Sequence, residues 1–134
     1  MMKKIAIVIL NWNGKNFLKD FISPLIKYTP DWAEIVVADN ASTDDSIKFV
    51  RENFPQIRII VNEENYGFAK GYNVALRQIE AEYYCLLNSD IEVSENWLEP
   101  VINFLEQNPE VAVCQPKLLS FYDKEYFEYA GASG

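Results

Sequence analysis

The chain has 134 residues, 49% of them hydrophobic and 24% charged, which is the size and composition of one globular domain and excludes a disordered segment. Twenty Asp and Glu residues against twelve Lys and Arg give a net charge of -8, which argues against nucleic acid as a partner. Histidine is absent, which excludes Ser-His-Asp and Cys-His catalysis and the commonest zinc ligand.

The N-terminal apolar run and the two cysteines bear on the cellular compartment. The run Ile5–Leu10 is broken by Asn11 and is too short for a signal-peptide core or a membrane span, so a cytoplasmic protein is expected. Cys85 and Cys114 each lie in an apolar run that is predicted to be a strand. This position favours buried free thiols over a disulfide or a metal site.

Short β-branched runs alternate along the chain with longer amphipathic stretches. The predicted strands, in chain order, are Ile5–Leu10, Glu34–Ala38, Arg58–Val61, Tyr83–Leu87 and Val111–Cys114. Most of them lack a polar alternation, which is typical of strands covered on both faces in a parallel sheet.

Between these strands, apolar residues recur at helical spacing. The first stripe extends from Phe17 to Ile26, and Pro24 is expected to kink or end that helix. Three more stripes are centred on Val50, on Tyr72 and Ala75, and on Ile102. The alternation predicts an α/β fold with a mostly parallel sheet, right-handed crossovers and helices on both faces.

Polar residues follow four of the predicted strands directly, at positions 11–14, 39–45, 62–67 and 88–90. The carboxyl ends of parallel strands meet at one edge of the sheet, where α/β folds bind ligands, so a site is predicted there. Each loop alone is more typical of a turn or a helix cap than of a site, and it is the coincidence at four strand ends that favours a site. Ser42 and Asp45, for example, fit a capping box.

The usual phosphate-binding loops are missing from the sequence. Neither G-x-G-x-x-G nor G-x-x-x-x-G-K-[ST] occurs, which disfavours a classical dinucleotide fold and a P-loop NTPase. If phosphate binds, its charge must be neutralised in another way. A divalent cation, Mg²⁺ or Mn²⁺, held by Asp90 is the best candidate, because such ions prefer oxygen ligands and use few carboxylates.

Four segments, ILNWNG at 9–14, VADNASTDDS at 37–46, NYGFAKGYN at 65–73 and LLNSD at 86–90, carry a family resemblance. In this order they resemble the N-terminal, nucleotide-sugar-binding half of the family 2 glycosyltransferases of the GT-A fold, across essentially the whole chain. Their form is most similar to the bacterial rhamnosyltransferase-like subgroup, which assembles cell-surface polysaccharides.

The resemblance implies a role for each matching position. Residues 11 to 13 would line the nucleobase pocket, Asp39 would accept hydrogen bonds from the base or ribose, and Lys70 would be the cation beside the nucleotide. Asp90 would be the metal ligand, although Asn88 replaces the first acid of the family's Asp-x-Asp motif. The nucleotide-sugar-binding residues implied in this way are Asn11, Asn13, Asp39, Asn40, Asn65, Gly67, Lys70, Asn73 and Asn88.

The same resemblance implies inverting, metal-assisted transfer from a UDP- or dTDP-linked sugar to a glycan or lipid-linked acceptor. The family's catalytic base lies in its C-terminal half. Residues 1–134 are therefore expected to be a donor-binding portion truncated before the acceptor-binding half, inactive alone and prone to self-association. The full-length protein could also lie at the inner face of the membrane.

Three other functional classes remain open from the sequence. A nucleotidyltransferase on a similar frame would normally carry a Gly-rich basic loop after the first strand, where residues 11–15 read NWNGK. A receiver-like domain would place paired acids at that point. A non-catalytic module that binds a nucleotide or a partner protein would be distinguished by an unrelated partner domain encoded downstream in the gene.

Overall fold

The computed structural model describes residues 3–116, 118–119 and 127–129. The backbone forms two compact units, Met1–Val93 and Ser94–Gly134. No Gly/Ser-rich linker marks this division in the sequence. None of the helices in the described ranges is long and apolar enough to cross a bilayer.

The first unit is built on a single parallel sheet. Its strands are β1 (Lys3–Asn11), β2 (Ala33–Asp39), β3 (Arg58–Val61) and β4 (Ala81–Asn88), arranged in the order β3-β2-β1-β4. The bounds of β3 match the prediction, and the other three strands extend one or two residues further at each end. The predicted parallel α/β fold is therefore confirmed.

Three helices connect these strands: α1 (Lys15–Lys27), α2 (Ser46–Asn53) and α3 (Gly67–Leu76). The chain steps from β1 to β2 to β3 in one direction and then crosses back to β4 on the other side of β1. Right-handed crossovers therefore place α1 and α2 on one face of the sheet and α3 on the other. The core on the α3 side consists of Ala6, Val8, Val36, Ala38, Ile60, Tyr72, Ala75 and Ile79.

β4 differs from the other long strands in being covered mainly on one face. Burial alternates along it, and Tyr84 and Leu86 remain 44% and 50% exposed. The expectation of strands covered on both faces was wrong for β4. The reason is its place at the end of the four-stranded order, since α3 packs on β1 and β2.

Pro24 was expected to kink or end the first helix, and it does not end it. Helix α1 continues to Lys27, and the Tyr28 N–H donates to the Pro24 carbonyl at 3.0 Å. Proline removes one N–H, whose helical partner would have been the carbonyl of Asp20. Asp20 is exposed, so water can solvate that carbonyl and the helix tolerates the loss.

The predicted strand Val111–Cys114 was also wrong. Residues 111–116 form neither helix nor strand, and the Val111 N–H closes a turn by donating to the Asn108 carbonyl at 2.9 Å. Val113 is 84% exposed, so this apolar run does not form part of a core. An apolar run becomes a strand only where a neighbouring strand accepts its hydrogen bonds.

In the described part of the second unit lie one helix, α4 (Glu99–Gln107), and two short strands, β5 (Leu118–Leu119) and β6 (Phe127–Tyr129). Pro100 lies in the first turn of α4, where its missing N–H has no helical partner to lose. β5 and β6 pair antiparallel, a pairing that the sequence patterns did not predict.

The two cysteines are in neither a disulfide nor a metal-binding cluster among the described residues. Cys85 lies in β4 as predicted, whereas Cys114 lies outside any strand. Both are half-buried, which corrects the expectation of fully buried thiols. Cys85 is less covered than predicted because β4 is the end strand of its sheet.

Candidate functional site

The strand order reverses between β1 and β4, and ligands in such sheets bind just beyond the carboxyl ends of the strands at this switch point. Asn11 ends β1, Asn88 ends β4, and Tyr72 reaches this point from α3. The Leu10 N–H donates to the Tyr72 hydroxyl at 3.4 Å, and the hydroxyl donates to the Leu87 carbonyl at 3.2 Å. Burial raises the pKa of Tyr72 to about 12, so the hydroxyl remains a donor at neutral pH.

Hydrogen bonds to one buried carboxylate, that of Asp39, join the ends of β1 and β2. Asn11 and Asp39 are opposite each other in the sheet register and are 0% and 1% exposed. Asp39 Oδ1 accepts hydrogen bonds from Asn11 Nδ2 at 2.8 Å and from the Ser42 hydroxyl at 2.7 Å. Its Oδ2 accepts one from the Ser42 N–H at 2.8 Å. Asp39 therefore holds the β2–α2 loop in place.

The capping box expected at Ser42 and Asp45 is not formed. Helix α2 begins at Ser46, and Asp45 stands at its N-cap without a side-chain cap bond. Ser42 instead binds Asp39, because the tight turn after β2 brings its hydroxyl to that carboxylate. Sequence reasoning assigned Ser42 to a cap and so missed it as part of the site.

The two acids before α2 are engaged within the protein. Burial alone would raise the pKa of Asp44, but hydrogen bonds from the Ser46 hydroxyl and N–H, and from the Lys15 N–H, outweigh it and lower that pKa. A hydrogen bond from Lys15 Nζ at 2.8 Å lowers the pKa of Asp45. Both acids are therefore ionised at neutral pH, Asp44 bonded to Ser46 and the Lys15 N–H, and Asp45 bonded to the Lys15 side chain at the start of α1.

Asn13 ties the first loop to the second. Its Oδ1 accepts hydrogen bonds from the Thr43 N–H at 2.7 Å and the Asp44 N–H at 3.1 Å, and its own N–H donates to the Ser42 hydroxyl at 2.9 Å. Asn13 and Ala41 both adopt left-handed backbone, with φ of 51° and 59°. Such strain at a non-glycine residue is common where a loop is held in one shape for binding.

Two buried amides connect the second loop to the third and to α3. The Asn40 N–H donates to the Asn11 carbonyl at 2.8 Å, and Asn40 Nδ2 donates to the Gly67 carbonyl at 2.9 Å. Asn62 Nδ2 donates to Asn40 Oδ1 at 2.8 Å. Asn62 is 3% exposed and was not among the predicted site residues. Its only sequence signal was its place directly after β3.

The start of α3 carries the remaining predicted nucleotide-binding residues of the third segment. Asn65 Oδ1 accepts a hydrogen bond from the Gly67 N–H at 2.9 Å, and Gly67 adopts a φ of 79° that favours glycine. Lys70 and Asn73 are exposed on the helix. The Lys70 ammonium lies 4.7 Å from the centre of the Tyr66 ring, within cation–π distance.

The end of β4 offers one carboxylate, one amide and one hydroxyl. Asn88 and Asp90 are exposed and Ser89 is half-buried. No cluster of three or more His, Cys, Asp or Glu side chains able to hold a metal exists among the described residues. Oxygen donors of this kind fit Mg²⁺ or Mn²⁺, which bind through one or two carboxylates and take other ligands from substrate phosphates. The oxygen donors of residues 88–90 therefore fit an ion that binds together with a nucleotide, whose phosphates supply its other ligands.

The structure thus groups the predicted site residues in two ways. One continuous hydrogen-bonded network contains Asn11, Asn13, Asp39, Asn40, Asn65 and Gly67. Four further residues are exposed, on α3 or at the end of β4, namely Lys70, Asn73, Asn88 and Asp90. Because all four strands are parallel, both groups belong to the carboxyl edge of the sheet.

Comparison with known proteins identifies relatives of this chain. The uncharacterized glycosyltransferase of Haemophilus influenzae is 25% identical over 124 residues, covering 90% of this chain and 38% of that protein. Poly(ribitol-phosphate) beta-N-acetylglucosaminyltransferase TarS of Staphylococcus aureus is 24% identical over 112 residues, covering 80% of this chain and 20% of TarS. The chain therefore spans well under half the length of these relatives.

A solved structure supports the same relationship. The crystal structure of S. aureus TarS in complex with UDP-GlcNAc is similar with a TM-score of 0.68 and 26% identity, covering 79% of this chain and 32% of that one. The model of the family described as Glycosyl transferase family 2 matches residues 6–130. Because this match covers most of the chain and includes all four polar loops, the protein belongs to glycosyl transferase family 2.

Proposed function

We propose that the protein transfers a sugar from a UDP- or dTDP-linked donor to a glycan or lipid-linked acceptor, and that residues 1–134 hold the donor nucleotide. The observation that carries the proposal is the buried network of Asn11, Asp39 and Asn40 at the carboxyl edge of the sheet, beside its switch point. Family membership supports the reaction class. The similarity to a UDP-GlcNAc complex supports a uridine-type donor.

The base and ribose are proposed to bind over the first two loops. Asp39 Oδ2 accepts a single hydrogen bond, from Ser42, and a carboxylate oxygen has the capacity for a second. An imide N–H of uracil or thymine, or a ribose hydroxyl, is a donor that suits this acceptor. Adenine presents no imide N–H, so a uracil or thymine nucleotide is favoured over an adenine nucleotide.

The diphosphate is proposed to bind near Lys70 and a divalent cation. Asp90 would ligate the ion through its carboxylate, with the Asn88 amide oxygen as a second ligand, and the exposed Lys70 would add positive charge. When bound, a cation of this type stabilises the negative charge of the departing nucleoside diphosphate. Asp90 and Asn88 would orient the phosphates. Asn88 ends β4, which pairs with the strand that Asn11 ends, and Asp90 follows two residues later.

The transfer is proposed to be inverting, as part of cell-surface polysaccharide synthesis in a rhamnosyltransferase-like enzyme. Within residues 1–134, a base that activates the acceptor would have to be a carboxylate, because these residues contain no histidine. Asp39, Asp44 and Asp45 are already engaged in hydrogen bonds within the protein. Residues 1–134 alone are therefore proposed to bind donor without transferring sugar.

Isothermal titration calorimetry of the 134-residue chain with UDP, dTDP and ADP, each with and without Mn²⁺, tests the proposal. UDP or dTDP should bind at least about tenfold more tightly than ADP, the effect of one discriminating hydrogen bond. Mn²⁺ should strengthen binding of the pyrimidine nucleotides. Equal affinity for ADP would contradict the proposed contact between the base and Asp39. Absence of all nucleotide binding would refute the proposed function.

A further inference from the structure

We infer that Asn62, which the family motifs leave out, is a positioning residue that fixes the first turn of α3 for nucleotide binding. The inference rests on the proposed function, because Lys70 and Asn73 on this helix are proposed to border the nucleotide. Asn62 acts together with Asn40, and the two side chains form an amide clamp between the ends of β2 and β3 and helix α3.

The two amides of the clamp donate hydrogen bonds to two backbone carbonyls on one face of α3. Asn40 Nδ2 donates to the Gly67 carbonyl at 2.9 Å, and Asn62 Nδ2 donates to the Gly71 carbonyl at 3.3 Å and to Asn40 Oδ1 at 2.8 Å. Gly67 and Gly71 are four positions apart, so both lie on the same side, about one turn apart. The orientation of the first turn is therefore tied to the two strand ends.

The helix approaches the clamp so closely that a side chain at position 71 would force either the Asn40 amide or the helix to shift. A Cβ placed on Gly71 would lie 2.7 Å from Asn40 Nδ2 and 2.9 Å from Asn40 Oδ1, closer than carbon contacts allow. Gly71 is buried, whereas its neighbour Lys70 is exposed. Any shift of the helix away from the clamp would move Lys70 with it.

The direction of the Asn62 amide is determined by its partners. Both groups that its Nδ2 meets, the Gly71 carbonyl and Asn40 Oδ1, are acceptors, so Nδ2 must face them. The Asn62 N–H also donates to the Asp39 carbonyl at 2.8 Å. An aspartate at position 62 would keep the shape of the side chain but would place a charged acceptor against two acceptors.

The test compares Asn62→Asp with two control variants by UDP calorimetry and by amide hydrogen exchange. Asn53→Asp alters an exposed amide that donates to the Phe49 carbonyl at 2.9 Å on α2, away from the clamp. Val50→Ala truncates a fully buried α2 side chain and lowers stability without touching α3. Asn62→Asp should weaken UDP binding about tenfold or more and accelerate exchange of the α3 amides. Both controls should retain wild-type UDP affinity while folded.

The outcomes separate the inference from the proposed function. Wild-type affinity in folded Asn62→Asp, or an equal loss of affinity in Val50→Ala, would overturn the positioning role while leaving nucleotide binding established. A wild-type chain that binds no nucleotide would overturn both. If Asn62→Asp fails to fold, Gly71→Ala takes its place, since it displaces the helix from Asn40 and keeps Asn62. Wild-type UDP affinity in folded Gly71→Ala would equally overturn the inference.

Discussion

The two ends of the candidate site are built differently. The loops after β1, β2 and β3 are joined by a buried network in which Asn11, Asp39 and Asn40 are at most 2% exposed. The loop after β4 presents Asn88 and Asp90 to solvent, and within the described residues their side chains make no hydrogen bond. The first region is held in shape by the protein itself and keeps spare acceptor capacity at Asp39 Oδ2, whereas the side chains of the second region are open to a ligand and an ion.

Acids and amides therefore have different physical roles at different places along the carboxyl edge of the sheet. Acids and amides in the first region stabilise the fold, and their removal should lower the free energy of unfolding. Acids and amides in the second region should affect binding only. Substitutions in both regions test this contrast, in order of the expected change in stability.

Replacing Asp39 with alanine should lower the free energy of unfolding by about 3 kcal/mol, because Asn11 Nδ2 and both Ser42 donors lose their buried acceptor. The measurement is urea unfolding followed by circular dichroism. Asp20→Ala, an exposed acid on α1, is the matched control and should change stability by less than about 0.5 kcal/mol. Equal effects in the two variants would remove the contrast between the regions.

Tyr72→Phe should cost about 1–2 kcal/mol, because the Leu87 carbonyl loses a buried donor. Tyr84→Phe is the control, since that hydroxyl also donates to a carbonyl, Ile79 at 2.7 Å, but its side chain is 44% exposed. The Tyr84 variant should lose less stability. A larger loss for Tyr84→Phe would be inconsistent with the buried bridge at the switch point.

The raised pKa of Tyr72 also predicts a pH dependence. The folded pKa is about 12 and the ordinary value is 10.0, so the contribution of Tyr72 is fully present below pH 10.0 and is lost as pH rises towards 12. Stability of the wild type should therefore fall over this range more steeply than that of Tyr72→Phe. Parallel curves for the two proteins in alkaline urea titrations would contradict the buried position of the hydroxyl.

Ala41→Gly should stabilise the protein by roughly 0.5–1 kcal/mol. Ala41 has a φ of 59°, and left-handed backbone costs an L-residue roughly 1–2 kcal/mol, a cost that glycine avoids. Because glycine loses more backbone entropy on folding than alanine does, about half of this gain in stability is offset. Thermal unfolding measures the change, with Ala69→Gly on helix α3 as a control that should destabilise. A loss of stability in Ala41→Gly would mean that the loop is not strained.

Asp90→Asn should change stability by less than about 0.5 kcal/mol, the smallest effect of the series. The same substitution should abolish the Mn²⁺-dependent part of UDP binding, because it removes the single carboxylate of the Asn88–Asp90 segment. Calorimetry with and without Mn²⁺ measures this, and circular dichroism checks the fold. Retained Mn²⁺ dependence would place the ion elsewhere.

Much of the first unit could be predicted from the sequence. Four apolar runs became β1 to β4 because parallel strands covered by helices need little polar alternation, and the polar loops then fell at one edge by topology alone. The apolar run Val111–Cys114 was predicted to be a strand in the same way but does not form one, because a run of apolar residues does not reveal whether a pairing strand is available.

The hydrogen-bond partners inside the site could not be predicted in this way. Ser42 matched a local cap motif, but its hydroxyl binds Asp39, and Asn62 looked like one more turn residue, although it binds Asn40 and Gly71. Sequence patterns describe neighbours along the chain. Apart from the shorter-range contacts of Ser42 with Asp39 and of Asn62 with Gly71, the network depends on contacts between loops about 20 to 30 positions apart, which only the packed sheet brings together.

NMR mapping of UDP binding shows directly whether the carboxyl edge of the sheet binds the donor nucleotide. In a ¹⁵N-labelled chain with Mg²⁺, we expect shift changes to concentrate in residues 11–14, 39–45, 62–73 and 88–90. The amides at the opposite edge, such as Lys3, Ala33 and Ala81 at the strand starts, should be unaffected. Changes centred on that opposite edge, or none at saturating UDP, would show that the nucleotide does not bind at the carboxyl edge.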